Sequence, residues 1–131
     1  MIVDSSAVIA ILKREPDAPT YADALASNPA PKMSAATYVE ASIVADRDRH
    51  PMRCRLLDAV LLDADIEIVP FDEAQARIAR EAYRDFGKGS GHKARLNLGD
   101  CFAYALAKAT GEALLYKGTD FGQTDVASAL D

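Results

Sequence analysis

The stretch Met1-Ile2-Val3-Asp4-Ser5-Ser6-Ala7-Val8-Ile9-Ala10-Ile11-Leu12 decides how the rest of the chain is read. Ile2 and Val3 are apolar and β-prone. A carboxylate and two hydroxyls follow, then a second apolar run. This predicts a short buried strand ending at Asp4 and a helix that begins at once, capped by Ser5 or Ser6. In an open parallel α/β sheet, ligands bind outside the carboxyl ends of the strands, so Asp4 stands where chemistry is usually done. Aspartate also caps helices, and this stretch alone leaves both roles open. The number of other acids that reach comparable positions bears on the choice.

Outward from that stretch, Lys13-Arg14-Glu15-Pro16 ends the first helix. Tyr21, Ala22, Leu25 and Ala26 recur at helical spacing, so a second helix runs to about Ser27. Lys32-Met33 is a very short strand. Ser34 caps the next helix, with Thr37 able to join it on the first turn. Glu40 lies in that helix among Ala, Val, Ile, Tyr and Ser. It belongs either to an exposed stripe or to a cleft, and periodicity slightly favours the stripe. The run Asp46-Arg47-Asp48-Arg49-His50 reads as a solvated helix end, stopped by Pro51. Leu56, Leu57, Val60, Leu61 and Leu62 predict a strongly amphipathic fourth helix. Residues 66–71 alternate as a strand. Asp72 caps a fifth helix with Ala74, Ile78, Ala79, Ala82 and Tyr83 on its apolar side.

The segment 86–97 is glycine-rich and basic, with Lys88, His92, Lys93 and Arg95, and is expected to be the least ordered part. It reads equally as a solvated linker and as a contact for a phosphate backbone. Gly99-Asp100 then opens a helix so apolar that it must be buried, with Asp100 in the first turn where the helix dipole favours a carboxylate. Gly111 is a stop signal. Residues 113–116 form a short buried strand, and Asp120 lies just past its end. Strands separated by pairs of helices predict an α/β fold with a small parallel sheet. No linker divides the chain, and no glycine-rich dinucleotide motif, Walker A motif or nucleophile elbow is present.

The chain has 131 residues, half of them hydrophobic, enough for one domain with a real core. Fifteen basic and twenty acidic residues give a net charge of −5, which is not the usual footprint of a nucleic-acid binder unless a metal or a local basic patch offsets it. Cys54 and Cys101 lie in no metal-ligand spacing, and Cys101 reads as core. The amino terminus does not read as a leader, and no apolar run is long enough to span a bilayer. These features lead us to expect a cytoplasmic protein without membrane association.

Asp4 and Asp120 follow strands, Asp100 opens a buried helix, and Glu40 follows another strand by one to two turns. In a parallel sheet such positions can converge at one edge. Four clustered carboxylates repel one another and raise each other's pKa values. A divalent cation resolves that conflict. An all-oxygen ligand set suits Mg²⁺ or Mn²⁺ rather than Zn²⁺, and the chemistry that uses carboxylate-held Mg²⁺ is phosphoryl transfer.

The opening Ile2-Val3-Asp4-Ser5-Ser6-Ala7, Glu40 after Ser34-Ala35-Ala36, the block Gly99-Asp100-Cys101-Phe102-Ala103-Tyr104-Ala105 and the block Gly118-Thr119-Asp120-Phe121 together resemble a PIN domain. More narrowly they resemble a VapC-type toxin of a type II toxin–antitoxin system. The resemblance covers essentially the whole chain, 1–131, as a single PIN domain. It implies a three-layer sandwich with a small, mostly parallel central sheet flanked by helices. It also implies a Mg²⁺- or Mn²⁺-dependent endoribonuclease that cuts structured RNA, transfer RNA first among candidates, using a water activated by the metal.

Under that resemblance Asp4, Glu40, Asp100 and Asp120 form the catalytic quartet. Asp4 and Asp100 would be the main metal ligands; Glu40 would bind metal directly, through water or with a second ion, or orient the attacking water, and Asp120 would act through water or a second ion. Gly118 stands where many relatives carry another polar residue, which puts a second metal in doubt. Ser6 supports Asp4, and Asp125 is an outer acid near the same edge. Lys88, His92, Lys93 and Arg95 would contact RNA, with Arg47 and Arg49 adding to them.

The partners implied are a VapB-like antitoxin and a second copy of the chain, giving a homodimer and a heterotetramer or larger assembly with antitoxin. The apolar faces of the early helices (Val8, Ile11, Leu12, Tyr38, Ile43, Leu57, Leu61) are candidate surfaces, though most of these residues read as core. The alternatives are a PIN-like nuclease acting on another RNA or on DNA, and a non-catalytic metal-binding module. An aspartyl-phosphate phosphatase or a receiver domain would need a second acid near Asp4, and that acid is missing.

Overall fold

A computed structural model describes residues 1–47 and 49–131. Asp48, part of the charged run expected after the third helix, lies outside them. The elements run β1 (Ile2–Val3), α1 (Ser5–Leu12), α2 (Ala18–Ser27), β2 (Lys32–Ser34), α3 (Ala35–Asp46), α4 (Pro51–Asp63), β3 (Glu67–Val69), α5 (Glu73–Phe86), α6 (Leu98–Thr110) and β4 (Leu114–Leu115), with a 3₁₀ turn at Phe121–Gln123. The strands form one sheet in the order β3-β2-β1-β4. Every neighbouring pair is parallel, with Ile2 opposite both Lys32 and Leu114.

The alternation of side chains along a strand sets up two cores, one on each sheet face. Ile2 and Leu114 face a core built with Leu96, Cys101 and Leu106. Val3 and Leu115 face the other, with Val8, Leu25, Met33 and Leu57. The helices α5 and α6 cover the first face, and α1, α2 and α4 the second. This is the expected α/β three-layer sandwich, and Cys101 is fully buried as expected.

The strand order carries a functional consequence. The chain steps from β1 out to β2 and β3, then returns to add β4 on the other side of β1. The direction of winding therefore reverses beside β1, and a crevice opens at the carboxyl ends of β1 and β4. Asp4 follows β1, and Asp120 follows β4 by a few residues.

Several local expectations are corrected. The cap of α1 is Asp4 itself, which accepts from the Ser6 N–H, rather than Ser5 or Ser6. Ser34 caps α3 as expected, but Thr37 does not join it; its hydroxyl is buried without a hydrogen-bond partner. His50 caps α4 by accepting the Met52 N–H on Nδ1. In α4 the apolar stripe is narrower than its leucines suggest. Leu57 is buried, while Leu62 is 80% exposed. In α5 the inward face carries Gln75, whose Nε2 donates to the Pro70 carbonyl, while Tyr83 and Ala74 lie outward.

The basic segment before α6 is tied down. Lys88 N donates to Leu96 O and Leu96 N to Phe86 O, each at 2.9 Å, and Ala94 and Leu96 are fully buried. Composition missed this because two apolar side chains anchor a loop as well as many. Among the described residues no helix is long and apolar enough to cross a membrane.

Candidate functional site

Asp4 sits at the end of β1, only 2% exposed. Its Oδ2 accepts the Ser6 N–H at 3.0 Å and the Ser6 hydroxyl at 2.6 Å. Lys117 N donates to that same hydroxyl oxygen at 2.9 Å. A hydroxyl has one proton, so Ser6, accepting from β4's continuation, donates to Asp4. Ser6 thus supports Asp4, as the resemblance implied. The other oxygen, Asp4 Oδ1, is buried with no hydrogen-bond partner among the described residues. Asp4 therefore has both roles left open by its sequence context, capping α1 with one oxygen and leaving the other for something else.

Asp100 is placed by a reciprocal cap. Asn97 Oδ1 accepts the Asp100 N–H at 2.8 Å, and Asp100 Oδ2 accepts the Asn97 N–H at 2.9 Å. This fixes the carboxylate at the start of α6. The signal Asn-x-x-Asp was readable in the sequence and was missed there. Glu40 departs from the expected exposed stripe. It turns inward from α3, accepting the Ser5 hydroxyl at 2.5 Å on Oε1. Its Oε2 lies against Gly99, where a side-chain carbon would overlap it. Ser5 and Gly99 are site residues that the sequence did not single out.

The electrostatics follow from this packing. Burial pushes Asp4 up from 3.8 to about 7, against the pull of the Ser6 hydrogen bonds, and the charges of Asp100 and Glu40 push it further. Burial pushes Asp100 up to about 6, with Glu40 and Asp120 adding to it while the Asn97 N–H and the Lys88 charge oppose it. Asp4, Glu40 and Asp100 therefore share one site. Asp120 stands at its rim, exposed, close enough to act on Asp100. Asp125 is not part of it. It accepts from the Tyr104 hydroxyl at 2.6 Å and from Lys108 at 2.9 Å.

Among the candidate RNA contacts, His92 is committed within its own loop. Its Nδ1 accepts the Ala94 N–H at 3.1 Å, and its ring meets Phe86 edge-on at 4.9 Å. Lys88, Lys93 and Arg95 are exposed.

Among the described residues no three His, Cys, Asp or Glu side chains stand close enough to enclose an ion by themselves. Mg²⁺ does not require that. It commonly takes one or two carboxylates, keeps several waters and draws further oxygens from phosphate. An unpartnered buried carboxylate oxygen on Asp4, a second raised carboxylate on Asp100 and an all-oxygen donor set fit a hard divalent cation.

Comparison with known proteins identifies the family. The PIN domain family matches residues 1–127. Ribonuclease VapC28 of Mycobacterium tuberculosis and VapC ribonuclease Mb0625 of Mycobacterium bovis are each 55% identical over 131 residues, covering 100% of this chain and 98% of the relative. Ribonuclease VapC of Mycolicibacterium smegmatis is 48% identical over 128 residues, covering 98% of both chains. The crystal structure of Mycobacterium tuberculosis VapC20, a sarcin–ricin loop cleaving toxin, superposes with a TM-score of 0.74 over 96% of this chain and 95% of the other, at 16% identity. That likeness speaks for the fold.

Proposed function

The chain belongs to the PIN domain family, in its VapC ribonuclease branch, and from that premise we propose a Mg²⁺- or Mn²⁺-dependent endoribonuclease toxin. Its substrate is structured RNA, transfer RNA first, and a VapB-like antitoxin neutralises it in the cytoplasm. The observation that carries the reading is the buried, unpartnered Asp4 Oδ1, in a site shared with the raised carboxylate of Asp100.

Asp4 and Asp100 would hold the cation, which when bound polarises a phosphoryl oxygen, lowers the pKa of water and stabilises the leaving oxygen. The protein's own contribution is placement. Ser6, locked by Lys117 N, keeps Asp4 Oδ2 occupied and so leaves Oδ1 for the cation. Asn97 keeps Asp100 from rotating away. Glu40 orients the attacking water and takes its proton. Asp120 acts from the rim through water. Lys88, Lys93 and Arg95 draw the RNA backbone toward an otherwise acidic cleft. Attack by water rather than by the ribose 2′-hydroxyl leaves a 5′-phosphate and a 3′-hydroxyl.

A groove between α1, α2 and α4, lined by Ile11, Ala22, Leu25, Val60 and Ala64, offers the antitoxin an apolar seat. On α3, Val39 and Ile43, 54% and 58% exposed, are apolar side chains for a second copy to cover. Ile43 is thus at the surface, against the core reading of the early helices.

The test is cleavage by the purified, antitoxin-free protein, in Mg²⁺, in Mn²⁺ and in EDTA. Total transfer RNA and a sarcin–ricin loop oligonucleotide serve as substrates. Metal-dependent cutting with 5′-phosphate ends supports the reading. A protein that cuts no RNA, or cuts equally in EDTA, overturns it.

A further inference from the structure

We propose that Ser5 and Gly99 are positioning residues for Glu40: the Ser5 hydroxyl and the missing side chain at Gly99 together form the seat of its carboxylate. The proposal rests on the reading of Glu40 as the group that orients the attacking water.

Ser5 is the first residue of α1 and follows Asp4 directly. Its hydroxyl reaches across 35 residues of sequence to donate to Glu40 Oε1 at 2.5 Å. Gly99 is the second residue of α6 and precedes Asp100 directly. A Cβ there would overlap Glu40 Oε2 and crowd the carboxyl carbon behind it. Gly99 lies inside a regular helix and not at a positive φ, so backbone freedom does not call for glycine at this position. Glycine is a poor helix former, and alanine would favour α6. What glycine supplies is room for the carboxylate. The first turn of α6 also has N–H groups without helical partners and a positive dipole end, which suit an anion pressed against it.

The arrangement is symmetrical in a useful way. The doublet Asp4-Ser5 carries one metal-facing acid and one half of the seat, and the doublet Gly99-Asp100 carries the other acid and the other half. Glu40, arriving from α3, is held between the two helix starts that carry its partners.

The experiment is a pair of mutant cycles with Glu40→Ala. Without metal, in EDTA, thermal unfolding is followed for the wild type, Gly99→Ala, Glu40→Ala and the double variant. Gly99→Ala is expected to lower Tm by only about 1–2 °C in the wild-type background, because the carboxylate at the far end of Glu40 can swing aside, and to leave it unchanged or raise it once Glu40 is alanine. With Mn²⁺, RNA cleavage is measured for Ser5→Ala and Ser5→Thr. Ser5→Ala is expected to lower kcat by roughly 10- to 100-fold with KM held within about twofold, and Ser5→Thr to retain most of kcat. In the Glu40→Ala background Ser5→Ala is expected to cost nothing more.

If Gly99→Ala lowers Tm equally with and without Glu40, there is no steric seat and the proposal falls. It falls too if Ser5→Ala costs the same factor in both backgrounds. Should Gly99→Ala alone fail to fold while the double variant folds, the seat is supported directly. If the wild type cuts no RNA, or Glu40→Ala cuts as well as wild type, the functional reading fails instead, and the unfolding cycle still decides whether the seat exists.

Discussion

Two groups of acids on this chain are built in opposite ways. Glu15 and Asp17 both receive the Lys117 ammonium, and Asp125 receives the Lys108 ammonium and the Tyr104 hydroxyl. Among the described residues, Asp4, Glu40 and Asp100 receive only hydroxyl and backbone N–H donors. The consequence shows in the proton affinities. Hydrogen bonding to Lys117 holds Asp17 below the usual carboxylate range, and hydrogen bonding to Tyr104 and Lys108 does the same for Asp125. Burial and the charges of neighbouring carboxylates hold Asp4 and Asp100 above it. Acids that the chain neutralises itself fasten loops to helices. Acids it leaves uncompensated destabilise the metal-free fold, and keeping them makes physical sense where a cation comes from outside.

The sharpest way to break this comparison is to remove one uncompensated charge. Asp4→Asn and Asp100→Asn are expected to lower RNA cleavage on the order of 10³-fold or more. Asp4→Asn is also expected to raise Tm in EDTA at pH 8, because a buried charge without a counter-ion has gone. Calorimetry beside the cleavage assay reads both. A variant that loses activity and also loses stability in EDTA would place Asp4 with the structural acids.

Next in size is the response to pH. A carboxylate whose folded pKa is raised binds more protons in the native state than in the unfolded one, so stability falls as pH rises through that window. For Asp4 the window runs from 3.8 to about 7, and for Asp100 from 3.8 to about 6. The paired acids behave in reverse. Asp17 and Asp125 are lowered, so their contribution is present above the ordinary carboxylate pKa and is lost as pH falls through the folded value. The metal-free protein is therefore expected to be most stable at mildly acidic pH and to lose Tm steadily toward pH 8. Mg²⁺ or Mn²⁺ is expected to restore Tm at pH 8 far more than at pH 5, since the cation competes with protons for the same oxygens.

Smaller effects come from the compensated acids. Lys117→Met is expected to lower Tm by a few degrees at pH 7, because both Glu15 and Asp17 lose their shared partner, and by less as pH falls through the lowered folded pKa of Asp17. Exposure keeps this effect modest, since water and salt already screen the pair. The smallest change is expected for Asp125→Asn, with cleavage within about twofold of wild type and a slight fall in Tm. A large loss of cleavage would return Asp125 to the site as the outer acid that its sequence position suggested.

Much of the architecture is legible from local pattern. The order of four strands and six helices follows from period and punctuation, and the Asp72 and Ser34 caps and the Gly111 stop are in place. The errors have a common cause. The exposed Leu62, the buried Gln75 and the ordered basic loop all depend on what stands opposite a residue in space. Periodicity describes one element at a time and carries no record of its neighbour.

At the site the division is clear. The chain's own order determined that acids follow β1 and β4 and open α6, because a parallel α/β sheet puts such positions at one edge whatever the details. It also determined that the candidate donors are oxygens, the chemistry on which the proposal of a hard divalent cation rests. Only the tertiary structure decided which of those acids meet. Glu40 left its expected outward stripe because Ser5 offers it a proton and Gly99 offers it space, and Asp125 left the site because Tyr104 and Lys108 hold it. The physical reason is that each of these contacts joins residues far apart in sequence, at distances of a few ångströms. Spacing along a chain cannot encode such contacts until the sheet and its two layers of helices are closed.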